Sequence, residues 1–224
     1  MKNLLLTGAS GNIGQAIAQL FLSKGYKVTA PTRQELDLCD PQNIDNYFNQ
    51  HSLEYLAFIH CAGYNTLYSL EALKLCELQK TLQINTLSFF QILSYLIPFF
   101  KQKKKGYVLG ISSLYGTIAR EERASYVMSK HAMNGLMQTA CLELGSYNIK
   151  VNTLSPGFVD TQMTRKNNSL EKIQNLQTKI PLKRLGSVED IANIAYMLCS
   201  EQNTYISGQN IIVDGGFMAG GFQK

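Results

Sequence analysis

TGASGNIG, Thr7 to Gly14, follows the apolar run NLLL almost at the start of a 224-residue chain. Its glycines recur at every third position, 8, 11 and 14. Between a strand and a helix, residues without side chains permit a tight turn and let the backbone approach a phosphate. The helix N-terminus then supplies amide donors and positive potential. An ordinary glycine-rich strand-to-helix turn reads the same way, so the rest of the chain must decide.

Downstream, strand-like runs alternate with helical patterns. Ile13, Ile17, Leu20 and Phe21 recur at helical spacing until Gly25. YKVTA is a strand, ELDL (Glu35–Leu38) a second, and a helix begins after Asp40-Pro41. LAFIH is a short apolar strand ending in Ala62-Gly63, followed by a helical region from about Leu70 to Phe100. GYVLGIS, IKVNTLS and QNIIVDGG read as strands, and Ser125 to Gly145 and Val188 to Cys199 as helices. Repeated β-α-β units predict one α/β domain over 1–224, a doubly wound parallel sheet of the Rossmann type with helices on both faces. The gap between YKVTA and ELDL is too short for a full crossover helix.

The bulk numbers exclude several classes. At 45% hydrophobic and 17% charged the chain is globular, not disordered. The opening leucines are too few for a secretory leader. FFQILSYLIPFF (Phe89–Phe100) is shorter than the roughly 20 residues of a membrane span and holds a proline. A cytoplasmic protein is expected. Five scattered cysteines and three histidines show no ligand spacing, which predicts reduced thiols and no metal. Net charge is +5, part of it in KQKKKG (Lys101, Lys103, Lys104, Lys105). That run is either a solvated helix end or a docking patch for an acidic partner or phosphorylated substrate. No aromatic residues interleave it, which argues against nucleic acid.

In such sheets ligands lie beyond the carboxyl ends of the strands. Gly8, Ser10, Gly11, Asn12, Ile13 and Gly14 form the first strand end, a phosphate cradle. The second carries Arg33 and no acid within Pro31-Thr32-Arg33, which favours a 2′-phosphate and hence NADP over NAD; a plain surface arginine is the alternative. Asp37-Leu38 suits an adenine amino group, and Ala62-Gly63 gives the nucleotide a small surface. GISSLYG then ends a strand with two serines, and YVMSK opens a helix with Tyr126 and Lys130 four apart on one face. An ammonium beside a phenol is expected to lower the tyrosine pKa from about 10 toward neutrality, making Tyr126 a general acid and base.

Over its whole length the sequence resembles the short-chain dehydrogenase/reductase family. The collinear matches are the glycine motif, LDL, HCAG, Ile84-Asn85, ISSLYG, YVMSK, VNTLSPGFVDTQMT, PLKRLGSVEDIA and ISGQNIIVDGG. The last three are most similar to the 3-oxoacyl-[acyl-carrier-protein] reductase branch. The resemblance implies a tetrad of Asn85, Ser113, Tyr126 and Lys130. Ser113, which begins the S-x-x-G match, would polarise the substrate carbonyl. Tyr126 would deliver the proton, and Lys130 would tune Tyr126 and bind the nicotinamide ribose. Asn85 would hold a water leading to solvent. Val159 and Thr161 would meet the nicotinamide carboxamide, and 161–181 would form a substrate lid. Homotetramers or dimers are implied as well, with the Phe89–Phe100 helix and the tail FMAGGFQK compatible with such contacts.

Three departures stand out. Asn12 occupies a position where most members have glycine, His60-Cys61 replaces paired asparagines, and AREERAS (Ala119–Ser125) brings four charges to a stretch commonly small and polar. His60 reads as a structural residue. The charged stretch is either a solvated loop with internal ion pairs or a mark of a different substrate or subunit contact. The expected activity is NADPH-dependent reduction of a carbonyl, first of all a 3-oxoacyl thioester on acyl carrier protein or coenzyme A. The alternatives are a sugar, polyol or other small carbonyl metabolite as substrate, or a non-catalytic NADP-binding regulator.

Overall fold

A computed structural model describes residues 2–220; the last four residues of the tail named above lie outside them. Six strands form one parallel sheet in the order β2-β1-β3-β4-β5-β6. They are β1 (Asn3–Thr7), β2 (Lys27–Thr29), β3 (Ala57–His60), β4 (Gly106–Ile111), β5 (Ile149–Pro156) and β6 (Asn210–Val213). The helices are α1 (Asn12–Ser23), α2 (Pro41–Gln50), α3 (Leu75–Leu82), α4 (Ser88–Lys103), α5 (Ala124–Leu144), α6 (Gln162–Asn167), α7 (Leu170–Lys179) and α8 (Val188–Leu198).

The period of two along each strand sends alternate side chains to opposite faces. Leu5, Phe58, Val108 and Val151 pack against Ile44 and Phe48 of α2, Phe89 and Leu96 of α4, and Met133 and Met137 of α5. Leu4, Leu6, Ile59 and Leu109 face Ile17 and Phe21 of α1 and Ile191 and Leu198 of α8. The expected two-faced α/β architecture is therefore what the chain forms.

ELDL, expected as a strand, is a turn. Its backbone donors are taken locally: Asp37 N–H donates to Asn43 Oδ1 at 2.8 Å, Cys39 N–H to Asp37 Oδ1 at 3.0 Å and Leu36 N–H to the Thr32 carbonyl at 2.9 Å. Local side-chain acceptors have out-competed a ladder, and three-residue β2 ends the sheet. Leu36 still reaches the core, at 3% exposure. The helical region expected from Leu70 begins at Leu75 and is not uniform. A π turn, Gln83–Leu87, joins α3 to α4 and carries Asn85.

Helix starts follow their caps. Asp40 accepts the Gln42 N–H at 2.9 Å ahead of Pro41, and Ser187 with Asp190 forms a reciprocal capping box on α8. The α1 N-terminus differs, with Gly11 at the cap, no side chain on its amides and no acid in its first turn. That leaves its positive end open.

Candidate active site

The carboxyl ends of β1, β3, β4 and β5 open onto a cavity of about 990 Å3. Every expected dinucleotide-contacting residue lines it: Gly8, Ser10, Gly11, Asn12, Ile13, Gly14, Arg33, Asp37, Leu38, Ala62, Gly63, Tyr126, Lys130, Val159 and Thr161. Ser113 lines it too, whereas Asn85 stands behind the wall.

The three glycines of the first motif do different work. At Gly8, φ is +73° and a Cβ would come within 2.4 Å of the Ala62 nitrogen. At Gly14 a Cβ would meet the Gly8 carbonyl oxygen at 2.2 Å. These two let β1, β3 and α1 approach one another. A Cβ on Gly11 would meet nothing nearer than 3.6 Å, so its missing side chain leaves room in the cavity rather than between elements. An open helix N-terminus with such a cradle fits a bound pyrophosphate.

Arg33 is largely exposed, with Nε 3.7 Å from Asp37 Oδ1. Glu35, outside the expected set, accepts both the N–H and the hydroxyl of Thr32 at 2.7 and 2.9 Å. It therefore places a carboxylate at the β2 end, where the chain had appeared to lack one. The T-x-x-E spacing of a capping box was its sequence signal, unused because no helix follows. Asn12 has a role that no sequence signal announces. Its Oδ1 accepts the Gln162 N–H at 3.1 Å and ties the glycine loop to the start of α6.

Tyr126 and Lys130, one turn apart on α5, meet the end of β4 at the other end of the cavity. Lys130 is 2% exposed, and its Nζ donates to the Ile111 carbonyl at 2.7 Å and lies 5.5 Å from the Tyr126 ring centroid. The Ser113 hydroxyl is near enough to the Tyr126 phenol to favour its phenolate, and accepts the Tyr115 N–H at 3.2 Å. Ser112 is buried beneath Gly116, its hydroxyl without a protein partner, whereas Ser113 stands beside the Tyr126 phenol.

The electrostatics differ from the sequence expectation. Burial raises the Tyr126 pKa; the Ser113 hydrogen bond and the Arg123 charge oppose this without overcoming it. Lys130 is itself lowered to about 8 by burial. The expected fall of Tyr126 toward neutrality is absent, because desolvation of the phenolate outweighs the Ser113 hydroxyl and the Arg123 charge that favour it. The phenol keeps its proton.

Asn85 is fully committed. Its Oδ1 accepts the Tyr64 N–H at 2.7 Å, and its Nδ2 donates to the Tyr64 carbonyl and the Ser129 hydroxyl at 3.0 and 2.8 Å. Thr86 Oγ1 donates to the Ser129 carbonyl at 2.7 Å. The π turn is thus bolted to α5 between Tyr126 and Lys130. His60 is fully buried, with Nε2 donating to the Ile84 carbonyl at 3.1 Å and Nδ1 accepting from the Thr7 hydroxyl at 2.9 Å. Burial, then the Lys130 charge, pushes its pKa down to about 3. It is a neutral structural bridge, as its sequence context suggested.

The 119–125 loop forms no internal ion pair among the described residues. Arg120 Nη1 donates to the Tyr115 hydroxyl at 3.1 Å, and the Arg123 guanidinium lies 5.3 Å over the Tyr115 ring. Tyr115 stands edge-on to Tyr126, 6.4 Å between centroids. The expected lid consists of α6 and α7, with Thr161 capping α6 and Arg165 paired to Asp160 at 2.7 Å. The lysine run lies at the C-terminus of α4 and the start of β4. That is the sheet edge opposite the cavity, about 17 Å away along the strand. Lys105 pairs there with Glu201 at 2.8 Å.

A family model described as Enoyl-(Acyl carrier protein) reductase matches residues 32–218. The chain is 28% identical to the 3-oxoacyl-[acyl-carrier-protein] reductase of Escherichia coli K12, over 96% of each chain. It is 30% identical to that of Buchnera aphidicola subsp. Schizaphis graminum, again over 96% of each. It superposes on 4-hydroxyisoleucine dehydrogenase complexed with NADH with a TM-score of 0.89 at 29% identity, covering 98% of this chain and 100% of that one.

Proposed function

The chain belongs to the short-chain dehydrogenase/reductase family of nicotinamide-dependent oxidoreductases, and from that premise we propose that it interconverts a carbonyl and a secondary alcohol using NADP(H) in preference to NAD(H). One observation carries the reading: Ser113, Tyr126 and Lys130 converge at one end of a cavity whose other end is a glycine cradle at an open helix N-terminus. A dinucleotide bound in that cavity supplies or accepts the hydride.

The chain's own groups manage the rest. The Ser113 hydroxyl donates to the carbonyl oxygen and holds it against Tyr126. In reduction the Tyr126 phenol, still protonated at neutral pH, gives its proton to that oxygen as negative charge develops there. In oxidation the phenolate takes the proton back. Lys130 stabilises the phenolate and holds a ribose hydroxyl, and Asn85, whose side chain is taken by Tyr64 and Ser129 rather than by a water, holds the π turn against α5 between Tyr126 and Lys130. Val159 and Thr161 orient the carboxamide end, and α6 with α7 closes over the substrate. Arg33 supports the NADP preference by offering a guanidinium where a 2′-phosphate would lie.

Two substrate classes follow. A 3-oxoacyl thioester is supported by the activity of the curated relatives. The lysine run lends this class no geometric support, since it faces away from the cavity. A small polar carbonyl metabolite is favoured by Arg123 and Arg120, which gather on Tyr115 next to Tyr126. The exposed Leu87, Phe90 and Met128 on the outer surfaces of the π turn, α4 and α5 suit a homo-oligomeric contact, which light scattering would reveal as twice or four times the protomer mass. No helix among the described residues is long and apolar enough to cross a membrane. All five cysteines are unbridged, in keeping with a cytoplasmic site.

Oxidation of NADPH in the presence of acetoacetyl-coenzyme A and of small keto acids tests the activity. Turnover is expected to vanish in Tyr126→Phe while NADPH binding persists. Turnover retained by that variant refutes the mechanism.

A further inference from the structure

We infer that the substrate carries a carboxylate a few bonds from its reacting carbon, and that Arg123, with Arg120 beside it, binds that carboxylate. The inference rests on the oxidoreductase reading above and takes up its second substrate class.

Arg123 is half-buried, and its Nε is wholly buried without a hydrogen-bond partner. A guanidinium withdrawn from water with an unmatched donor is costly unless a partner arrives. The group stands next to the reacting centre, since it lies over Tyr115, which packs edge-on against Tyr126, and its charge reaches the Tyr126 phenol. Arg120 reaches the same ring from its hydroxyl end. Neither arginine forms an ion pair with Glu121, Glu122 or any other described carboxylate. Two cations gathered on Tyr115 therefore have no ion-pair partner among the described residues.

The backbone adds to the positive potential. Arg123 is the N-cap of the 21-residue α5, no side chain caps that end, and its first turn holds no acid.

The facing loop is unmatched as well. Asn65 Oδ1 and Thr66 Oγ1 are buried without partners, and Asn65 lines the cavity. Tyr68 N–H donates to the Glu122 carbonyl at 3.1 Å, which fastens this loop to the arginine loop. The two loops joined at this seam thus each carry unmatched polar groups. A hydrocarbon acyl chain in the seam would leave all of them unsatisfied. A carboxylate presents two coplanar oxygens that match a guanidinium fork.

The test uses the NADPH-loaded protein with 2-oxobutanoate, acetoacetate and 4-oxopentanoate, each beside its methyl ester. Steady-state kcat/KM and calorimetric binding are read in wild type, Arg123→Gln and Arg123→Lys. At least one acid is expected to exceed its ester ten-fold or more in kcat/KM. Arg123→Gln should cut the acid-to-ester ratio to two-fold or less, since any change it causes at Tyr126 enters acid and ester turnover alike, and Arg123→Lys should restore only part of the ratio. Esters equal to acids, equal losses for both in Arg123→Gln, or no acid binding to loaded protein would each overturn the inference while the oxidoreductase reading stands. Acid binding that depends on Arg123 but yields no turnover would overturn the oxidoreductase reading and leave the carboxylate site in place.

Discussion

Replacing each glycine of the first motif with alanine should separate the residues that build the loop from the one that makes room for a ligand. At Gly14 the new Cβ would stand 2.2 Å from the Gly8 carbonyl oxygen and 2.8 Å from the Ala9 Cα. Ordinary contacts need about 3.5 Å, so α1 would have to move by about 1 Å. Its buried face, Ile17 and Phe21, is locked into the core with α8. Overpacking against backbone of this kind costs about 3 kcal/mol. In a domain this size that lowers Tm by roughly 6–12 °C. Gly8→Ala adds the strain of φ +73° to a 2.4 Å clash with the Ala62 nitrogen, and should be at least as damaging.

Gly11→Ala is the informative variant. Gly11 has φ −80° and ψ 158°, which alanine adopts freely, and its Cβ would meet nothing closer than 3.6 Å. The weaker N-cap and the stiffened unfolded chain offset each other to within about 1 kcal/mol. Its Tm should therefore stay within about 4 °C of wild type. The added methyl nonetheless occupies the phosphate approach, and the NADPH Kd should rise ten-fold or more. Differential scanning calorimetry of ligand-free protein and fluorescence titration with NADPH give both numbers. A Gly11→Ala variant that melts as low as Gly14→Ala, or that binds NADPH within two-fold of wild type, refutes the division of labour.

Arg33→Ala should lower the NADPH-to-NADH ratio of kcat/KM ten-fold or more, whereas Glu35→Gln, which removes the carboxylate on Thr32, should raise it; a ratio unmoved by either variant defeats the NADP assignment. His60 ties folding to pH. Its folded pKa near 3 lies below the ordinary 6.5, so the unfolded chain takes up a proton that the folded one refuses. The corresponding stability is fully present above pH 6.5 and is lost as pH falls toward 3, up to about 5 kcal/mol. His60→Gln should flatten the Tm profile across that window while lowering Tm at pH 7, and an unchanged slope would remove His60 as its cause. Because burial holds the Tyr126 proton, alcohol oxidation should keep rising with pH through 8, whereas reduction stays flat across neutrality. Oxidation that levels off below pH 8 contradicts the raised phenol.

Local sequence determined the architecture. The continuous apolar run NLLL, helical spacing through Ile13, Ile17 and Phe21 and repeated β-α-β units were enough for a two-faced parallel sheet, because a strand apolar on both faces must be covered on both. The Y-x-x-x-K turn and the serine at a strand end likewise marked one end of the cavity, since a helix of known pitch fixes which residues share a face. ELDL misled because its donors are claimed by the Asn43 side chain and the Thr32 carbonyl, a competition between neighbours that apolar spacing does not encode.

Tertiary structure alone decided the rest. Only burial shows that Tyr126 keeps its proton, because desolvation depends on everything packed around α5, not on the lysine four residues away. The Asn12 link to Gln162 joins residues 150 positions apart. The bridging role of His60 needs Thr7 and Ile84 brought to its two ring nitrogens. The lysine run read as a solvated helix end or an anion-docking patch, and the AREERAS loop as a solvated loop or the mark of a different substrate or subunit contact. Chain direction in a parallel sheet sent the first to the far edge, while packing gathered two arginines of the second on Tyr115, the neighbour of Tyr126.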